Sequence, residues 1–463
     1  MIMKTNKYIV IVLTLFTFSL TFAQKGKIRI ATQDYDKFSY VKASEILLEV
    51  AEKGYKSADL FQKLGNSFYF NNKMEDAAKW YGELMALNET VDSEYYYRYA
   101  QALKINKNYE ESNKWMNKFA EINSEDLRGK AFLSSVDYLA KIDNASRELE
   151  VVNLPLNTEV SDFGTNQYQD QLVFASSRDD GGKIYKWNEQ AYLNLFRAYK
   201  QEDGSYQNIE AFSNVINTKY HESTASFTSD DKIMFFTRNN YFKKKLKRDD
   251  SGINRLQLYR ARVMEDGAWG NVESIHFNSN DYSVAHPAVN IYGTKLYFAS
   301  DMPGTIGQSD LYVTNINKDG SLGEPINLGA KINTEAQETF PYINSKGDLF
   351  FSSNGYPGLG GLDVFVVRDI ENKLDKGQAL IVENLGKPIN SPFDDFGYYE
   401  NLGTNEGFFT SNREGGKGDD DIYSFKEIPC EQLVEGLIKE KNTLELLPLS
   451  TAILYDGEGN ELQ

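Results

Sequence analysis

The chain has 463 residues, too many for one ordinary core, so two or three domains are expected. A hydrophobic share of 41% with 30 Tyr, 28 Phe and only 10 Pro argues for packed sheets and helices and against disorder. A formal net charge of −17 argues against nucleic-acid binding, because phosphates would be repelled, and a single cysteine, Cys430, excludes an internal disulfide.

Lys4 and Lys7 open the chain with positive charge, Tyr8 to Phe22 is uncharged, and Thr21-Phe22-Ala23 closes the run with small residues where a signal peptidase reads. The run is shorter than the ~20 residues that span a bilayer. It predicts a secretory signal peptide over 1–23, cleaved after Ala23, and a mature charge of about −19. Export without disulfides fits a bacterial periplasm.

Residues 26–147 show a repeated helix–turn–helix pattern. In the clearest unit, Leu64 and Gly65 set a large residue beside a small one, Ala77 is the small residue where the second helix crosses the first, and Tyr81 and Leu84 complete the buried face. Tyr99-Ala100, Leu103, Met116 and Phe119 repeat the pattern, and Tyr40, Ala43, Leu47 and Val50 belong to a degenerate first unit. Small residues let helices approach and large ones fill the groove, the logic of a tetratricopeptide-like α-solenoid.

From 148 to 427 the helical period gives way to short β-rich runs separated by Gly and Asp. An apolar–aromatic strand ending in Ser or Thr recurs around Phe174, Phe235, Phe298, Phe351 and Phe409. A second short aromatic strand follows each, preceded by an acid in Asp310, Asp363 and Asp421. An Asn, usually with Thr or Ser behind it, recurs at Asn157, Asn217, Asn278, Asn333 and Asn390. These anchors predict a β-propeller. The copy at Asn157 precedes the first repeat and none follows the fifth, so the strand at Leu149–Leu154 is expected to complete the last blade. That gives five blades; six remains the alternative if a long insertion hides a degenerate repeat.

The Gly-rich loops at 301–307, 357–363 and 415–419 precede strands rather than helices, so they read as blade hairpins and not as phosphate cradles. The recurring acids read as turn caps, with a calcium ion near Asp419-Asp420-Asp421 left open. Lys243-Lys244-Lys245-Leu246-Lys247-Arg248 is a basic loop in an acidic chain. It reads as solvated surface or as a dock for an acidic partner. Three histidines, His221, His276 and His286, lack metal-ligand spacing, and no nucleophile elbow occurs. The expectation is therefore no enzyme, no cofactor, no metal and no catalytic residue.

Residues 428–463 are expected to begin a β-sandwich, with strands at 431–438 and 450–455 and a hairpin turn at 456–460, but they are too few to close one. The order of parts resembles the multidomain OmpA-family proteins of Bacteroidetes: signal peptide, tetratricopeptide repeats, TolB- or WD-like propeller, then the start of a carboxypeptidase-regulatory-like domain. The residues carrying the resemblance are Leu64-Gly65, Tyr99-Ala100, the Phe-Ala-Ser, Asp-Leu-Tyr and Asn-Thr propeller anchors, and Gly436 with Ala452. It implies a periplasmic scaffold of an outer-membrane-associated complex, related to type IX secretion or gliding, with secretion-machine proteins as partners. The peptidoglycan-binding OmpA-like domain that usually ends such proteins is not in this sequence, so peptidoglycan is a partner only if such a domain exists elsewhere. The alternative is a ligand-sensing propeller that binds a glycan or peptide.

Overall fold

The computed structural model describes residues 24–135, 137–178, 181, 183–428, 436–455 and 461. The expected signal peptide, Cys430 and the expected hairpin turn at 456–460 lie outside the described residues. Residues up to Glu427 form one compact unit and residues from Ile428 a second, small one.

The first unit begins with helices: α1 over 24–35, α2 (Tyr40–Glu52), α3 (Ala58–Tyr69), α4 (Met74–Ala86), α5 (Glu94–Ile105), α6 (Tyr109–Ile122), α7 (Leu127–Leu133) and α8 (Tyr138–Asn144). Consecutive helices from α2 to α6 pack on one another. Side chains cap several starts: Ser57 Oγ accepts from Leu60 N (3.2 Å) and Asp126 Oδ1 from Arg128 N (2.9 Å). The packed faces carry Leu64, Gly65, Ala77, Tyr81, Leu84, Ala100, Met116 and Phe119, all buried. A Cβ at Gly65 would enter the Tyr81 ring, which explains the small residue there. Tyr99 is half-buried and meets the Trp115 ring at 5.2 Å.

A five-bladed β-propeller follows. Its first strand, β1 (Leu149–Asn153), does not belong to the first blade. Blade 1 is β2 (Asp162–Tyr168), β3 (Gln171–Ser176), β4 (Asn194–Lys200) and β5 (Tyr206–Ala211). Blade 2 is β6 (Glu222–Phe227), β7 (Ile233–Asn239), β10 (Leu256–Val263) and β11 (Trp269–Ser274); a separate hairpin of β8 (Tyr241–Phe242) and β9 (Lys245–Leu246) is inserted between β7 and β10. Blade 3 is β12 (Val284–Val289), β13 (Lys295–Ser300), β14 (Asp310–Asn315) and β15 (Ile326–Asn327). Blade 4 is β16 (Glu338–Ile343), β17 (Leu349–Ser353), β18 (Asp363–Val367) and β19 (Glu383–Asn384), with helix α9 (Ile370–Asp375) before β19. Blade 5 is β20 (Asp395–Asn401), β21 (Glu406–Ser411), β22 (Asp421–Glu427) and β1.

β1 pairs antiparallel with β22, Leu149 opposite Glu427, Val151 opposite Phe425 and Asn153 opposite Tyr423. The blade therefore draws strands from both ends of the propeller sequence and leaves no unpaired edge between them. Apolar clusters fill the space between each adjacent pair of blades, including Leu154, Leu156, Phe174 and Ile422 where blades 5 and 1 meet.

One aromatic anchor is corrected. Phe174, Phe298, Phe351 and Phe409 stand opposite Phe196, Tyr312, Phe365 and Tyr423. In blade 2 the residue opposite the equivalent Tyr259 is Phe236, not Phe235, which pairs with Arg260. A one-residue shift sends a side chain to the other face of a sheet, and Phe235 accordingly packs with Leu296 and Phe298 of blade 3.

In the second unit the described residues carry no regular strand. Residues 431–435 of the first expected strand lie outside the described residues, and 436–438 are not in a strand. Residues 450–455 are exposed, and Tyr455 makes only an isolated bridge to Glu461; Lys439 and Leu446 make another. Among the described residues of this unit the apolar side chains are exposed and enclose no core that would hold strands together. Among the described residues, no helix is long and apolar enough to cross a membrane.

Candidate functional site: the helix–propeller cleft

Each blade crossover is stapled by the Asn anchor. Asn157, Asn217, Asn278, Asn333 and Asn390 each accept from, and donate to, the backbone of one third-strand residue: Ile422, Leu195, Leu258, Leu311 and Val364, at 2.6–3.1 Å. The amide oxygen thus gives the strand N–H an acceptor, while the carbonyl it donates to also accepts a backbone N–H, such as Leu154 N on Ile422 O (3.0 Å). The following Thr or Ser binds an acid four residues on: Thr158 to Asp162, Thr218 to Glu222, Thr334 to Glu338 and Ser391 to Asp395. Three of these buried acids meet an arginine: Asp162–Arg178 (2.7 Å), Glu222–Arg238 (3.0 Å) and Asp395–Arg413 (2.6 Å). The anchor list above misses these acids, although the spacing from Asn-Thr or Asn-Ser marks them; in blade 3, Ser283 stands where the acid would be.

The acids Asp310, Asp363 and Asp421 cap turns. Asp310 accepts from Ile306 N (2.8 Å) and Gly307 N (3.2 Å), Asp363 from Gly360 N (3.2 Å), and Asp421 from Lys417 N and Gly418 N (3.1 Å). Among the described residues, no group of three or more His, Cys, Asp or Glu is arranged to hold a metal ion.

The propeller axis is closed at its waist. Each inner strand carries a bulge at the same level, and His286 (φ 55°) and Phe340 (φ 47°) hold left-handed backbones there. Their rings lie 3.9 Å apart, and Phe340 meets Phe396 at 4.7 Å, leaving about 40 Å³ open. Burial drives the His286 imidazole down to about 3. Beyond the waist, on the face of the strand 1–2 loops, a shallow funnel of about 320 Å³ is lined from all five blades, with Asn166, Asp231, Tyr342 and Asn401 among its residues.

The opposite face, built from the strand 2–3 loops and the crossovers, carries the helices. Gln101 donates to Asn354 O (2.9 Å), Tyr109 to Leu359 O (2.9 Å), Asn72 to Asp394 (2.5 Å), and Trp187 from blade 1 to Phe70 O (3.1 Å). Tyr97 also donates to Asn354 O, and Tyr138 and Ile142 pack on Leu359. Helices and propeller are therefore parts of one body.

Between them lies a cleft of about 1,090 Å³. The α3–α4 turn and the end of α5 supply one wall, with Lys73, Lys79 and Lys107; the loops of blades 1 and 5 supply the other, with Trp187, Phe393, Glu414, Asp419 and Asp420. Two exposed ion pairs face across it, Lys73–Asp419 (4.0 Å) and Lys107–Glu414 (3.6 Å). Asp420 is half-buried, and burial, followed by the neighbouring Asp394, Asp419 and Asp421 charges, raises its carboxyl to about 7 against a Ser161 hydrogen bond. The cleft has aromatic faces and both signs of charge. Its walls come from separate stretches of the chain, Phe70 to Lys107 on one side and Ser161 to Asp420 on the other, which is why no local motif announced it.

No protein-family model and no curated protein matches the chain. Solved structures do, at low similarity. An α-L-arabinofuranosidase from Lactobacillus brevis is 11% identical over 67% of this chain and 95% of its own, with a TM-score of 0.37. Trypanosoma rangeli sialidase with the inhibitor DANA is 10% identical over 60% and 59%, TM-score 0.34. Puromycin hydrolase is 7% identical over 54% of this chain, TM-score 0.31, and the match spans 50% of that protein's length. At these values the likeness carries no argument about chemistry. It does correct one expectation: the matched chains are described as hydrolases, so the exclusion of enzymatic activity drawn from missing motifs is withdrawn.

Proposed function

We propose that this protein is an adaptor in a protein complex of the bacterial cell envelope, located in the periplasm beside the outer membrane. The observation that carries this reading is the cleft of about 1,090 Å³ between helices and propeller, wide, open and lined by aromatic groups and both charge signs. The helical pairs α3–α4 and α5–α6 support a tetratricopeptide-like array, whose usual work is to hold a partner. The apolar run after Lys4 and Lys7 supports export, and the resemblance to multidomain OmpA-family proteins supports a complex of the type IX secretion or gliding class, with the tail as the start of a sandwich domain.

A photo-crosslinking residue at Lys79 or Asn188, on opposite walls of the cleft, tests this in intact cells. The reading expects crosslinks to the same envelope protein from both positions. Crosslinks from neither, with the protein correctly exported, would rule it out.

A second reading, a sensor of a glycan or peptide, is favoured by the funnel of about 320 Å³ on the other face. A thermal shift with cell-wall fragments, abolished by Asn166→Trp, separates it from the adaptor.

A further inference from the structure

We propose that the β8–β9 hairpin of blade 2 is a docking element for an acidic polypeptide segment of the partner. The proposal rests on the adaptor reading for the protein nature of the ligand, and on the hairpin itself for its charge.

Five of the six residues from Lys243 to Arg248 are cationic in a chain whose net charge is −17. Among the described residues, none of Lys243, Lys244, Lys245, Lys247 and Arg248 lies within 4.0 Å of a carboxylate. Two acids follow the run: Asp249 binds Arg255 (2.9 Å) and accepts from Ser251 N and Ile253 N, and Asp250 is next to it in sequence. The basic run thus keeps an excess of positive charge that the two acids offset only in part. Lys219 adds to it, lying 5.6 Å from both the Tyr220 and Tyr241 rings at the hairpin's base.

The segment is also built rather than loose. Tyr241 pairs with Leu246 and Phe242 with Lys245; Phe242 packs on Tyr259 at 5.8 Å; Lys247 N donates to Asn240 O (2.9 Å). A pre-formed element loses less freedom on binding. The turn residues are the telling detail. Lys243 (φ 48°) and Lys244 (φ 64°) both hold left-handed backbones, positions where Asn-Gly is the comfortable choice. Two lysines kept there at a conformational cost are explained by a use for their charge. The hairpin exposes no large apolar side chain, which disfavours insertion into a lipid surface. Lysines are mobile point charges suited to carboxylates at irregular spacing.

The test uses the whole exported chain and fluorescent poly-L-glutamate as probe, with heparin and phosphatidylglycerol vesicles as competing occupants. Lys243→Asn with Lys244→Gly relaxes the turn while removing two charges; adding Lys245→Gln and Lys247→Gln removes four. The expected result is an unchanged or higher melting temperature for the first variant, and for the second a loss of polyglutamate affinity of about tenfold or more, with wild-type binding weakening as salt rises. Absent polyglutamate binding, unchanged binding by the four-charge variant, or tighter binding of heparin or vesicles at equal charge overturns the proposal. The two readings fail separately. Envelope-protein capture retained by the four-charge variant removes the hairpin and keeps the adaptor. No capture by the wild type, with polyglutamate binding intact, removes the adaptor and keeps an anion-binding hairpin.

Discussion

Asn157 holds Ile422 by both of its backbone groups, 265 positions away: Ile422 N donates to Asn157 Oδ1 at 3.0 Å, and Asn157 Nδ2 donates to Ile422 O at 2.8 Å. The same amide clamp occurs in every blade, but here it seals the ring. Asn157→Ala takes the acceptor from the buried Ile422 N–H, while Ile422 O keeps the Leu154 N–H at 3.0 Å, and is expected to cost about 1–3 kcal/mol. Urea unfolding of the full chain checks it; a midpoint equal to wild type contradicts the clamp.

Gly65 lies against the Tyr81 ring where α3 crosses α4. Alanine there has the better helix propensity, by roughly 0.8–1.0 kcal/mol. Its methyl group must displace a fully buried tyrosine that is hydrogen-bonded to Asn66 at 2.8 Å, and overpacking of this kind costs about 1–3 kcal/mol. Gly65→Ala is therefore expected to lower the melting temperature, and a rise would show that the crossing is looser than described.

His286 sits neutral in the closed waist, its imidazole held down to about 3 from 6.5 by burial. Between those values the unfolded chain binds the proton and the folded chain does not. The residue therefore lowers stability as pH falls through 6.5, by about 1.4 kcal/mol per unit in that window. His221, held down to about 4 by burial, acts in the same direction. Glu338 opposes them: burial raises its carboxyl from 4.5 to about 7, so its contribution declines as pH rises across that interval. His286→Asn, which tolerates the left-handed backbone, should flatten the loss of stability between pH 6.5 and 4. Parallel curves of melting temperature against pH for variant and wild type would contradict a neutral, buried imidazole.

Lys104 of α5 and Asp363 of blade 4 are both buried at the helix–propeller junction; burial lowers the ammonium and raises the carboxyl. One carboxylate oxygen of Asp363 has no hydrogen-bond partner. Removing one buried charge strands the other, whereas replacing both is often neutral or stabilising. Lys104→Met combined with Asp363→Asn is expected to be at least as stable as wild type above neutral pH, and more stable than Lys104→Met alone. A double variant no better than the single one would show that the two groups do not interact.

The ring closure was legible because the anchors can be counted: one extra Asn before the first repeat and none after the last. The register of blade 2 was not, because Ile233-Met234-Phe235-Phe236 is apolar throughout and so fits either face. The cleft was illegible for a different reason. Trp187, Lys107 and Asp419 meet only after the helices settle on the propeller, through contacts such as Tyr109 with Leu359 that follow no periodic pattern. The strand expected at 450–455 is not formed: the described residues there are exposed, despite their β-prone composition.

The account stands on β1 belonging to blade 5, because that pairing closes the ring beneath the helices. Hydrogen exchange of the intact chain measures it directly. Amides of Leu149–Asn153 should be protected to the same order as those of Glu406–Ser411 in β21 and should open together with them. Complete exchange of 149–153 at the rate of an unstructured linker, with β21 still protected, would contradict the closed five-bladed ring.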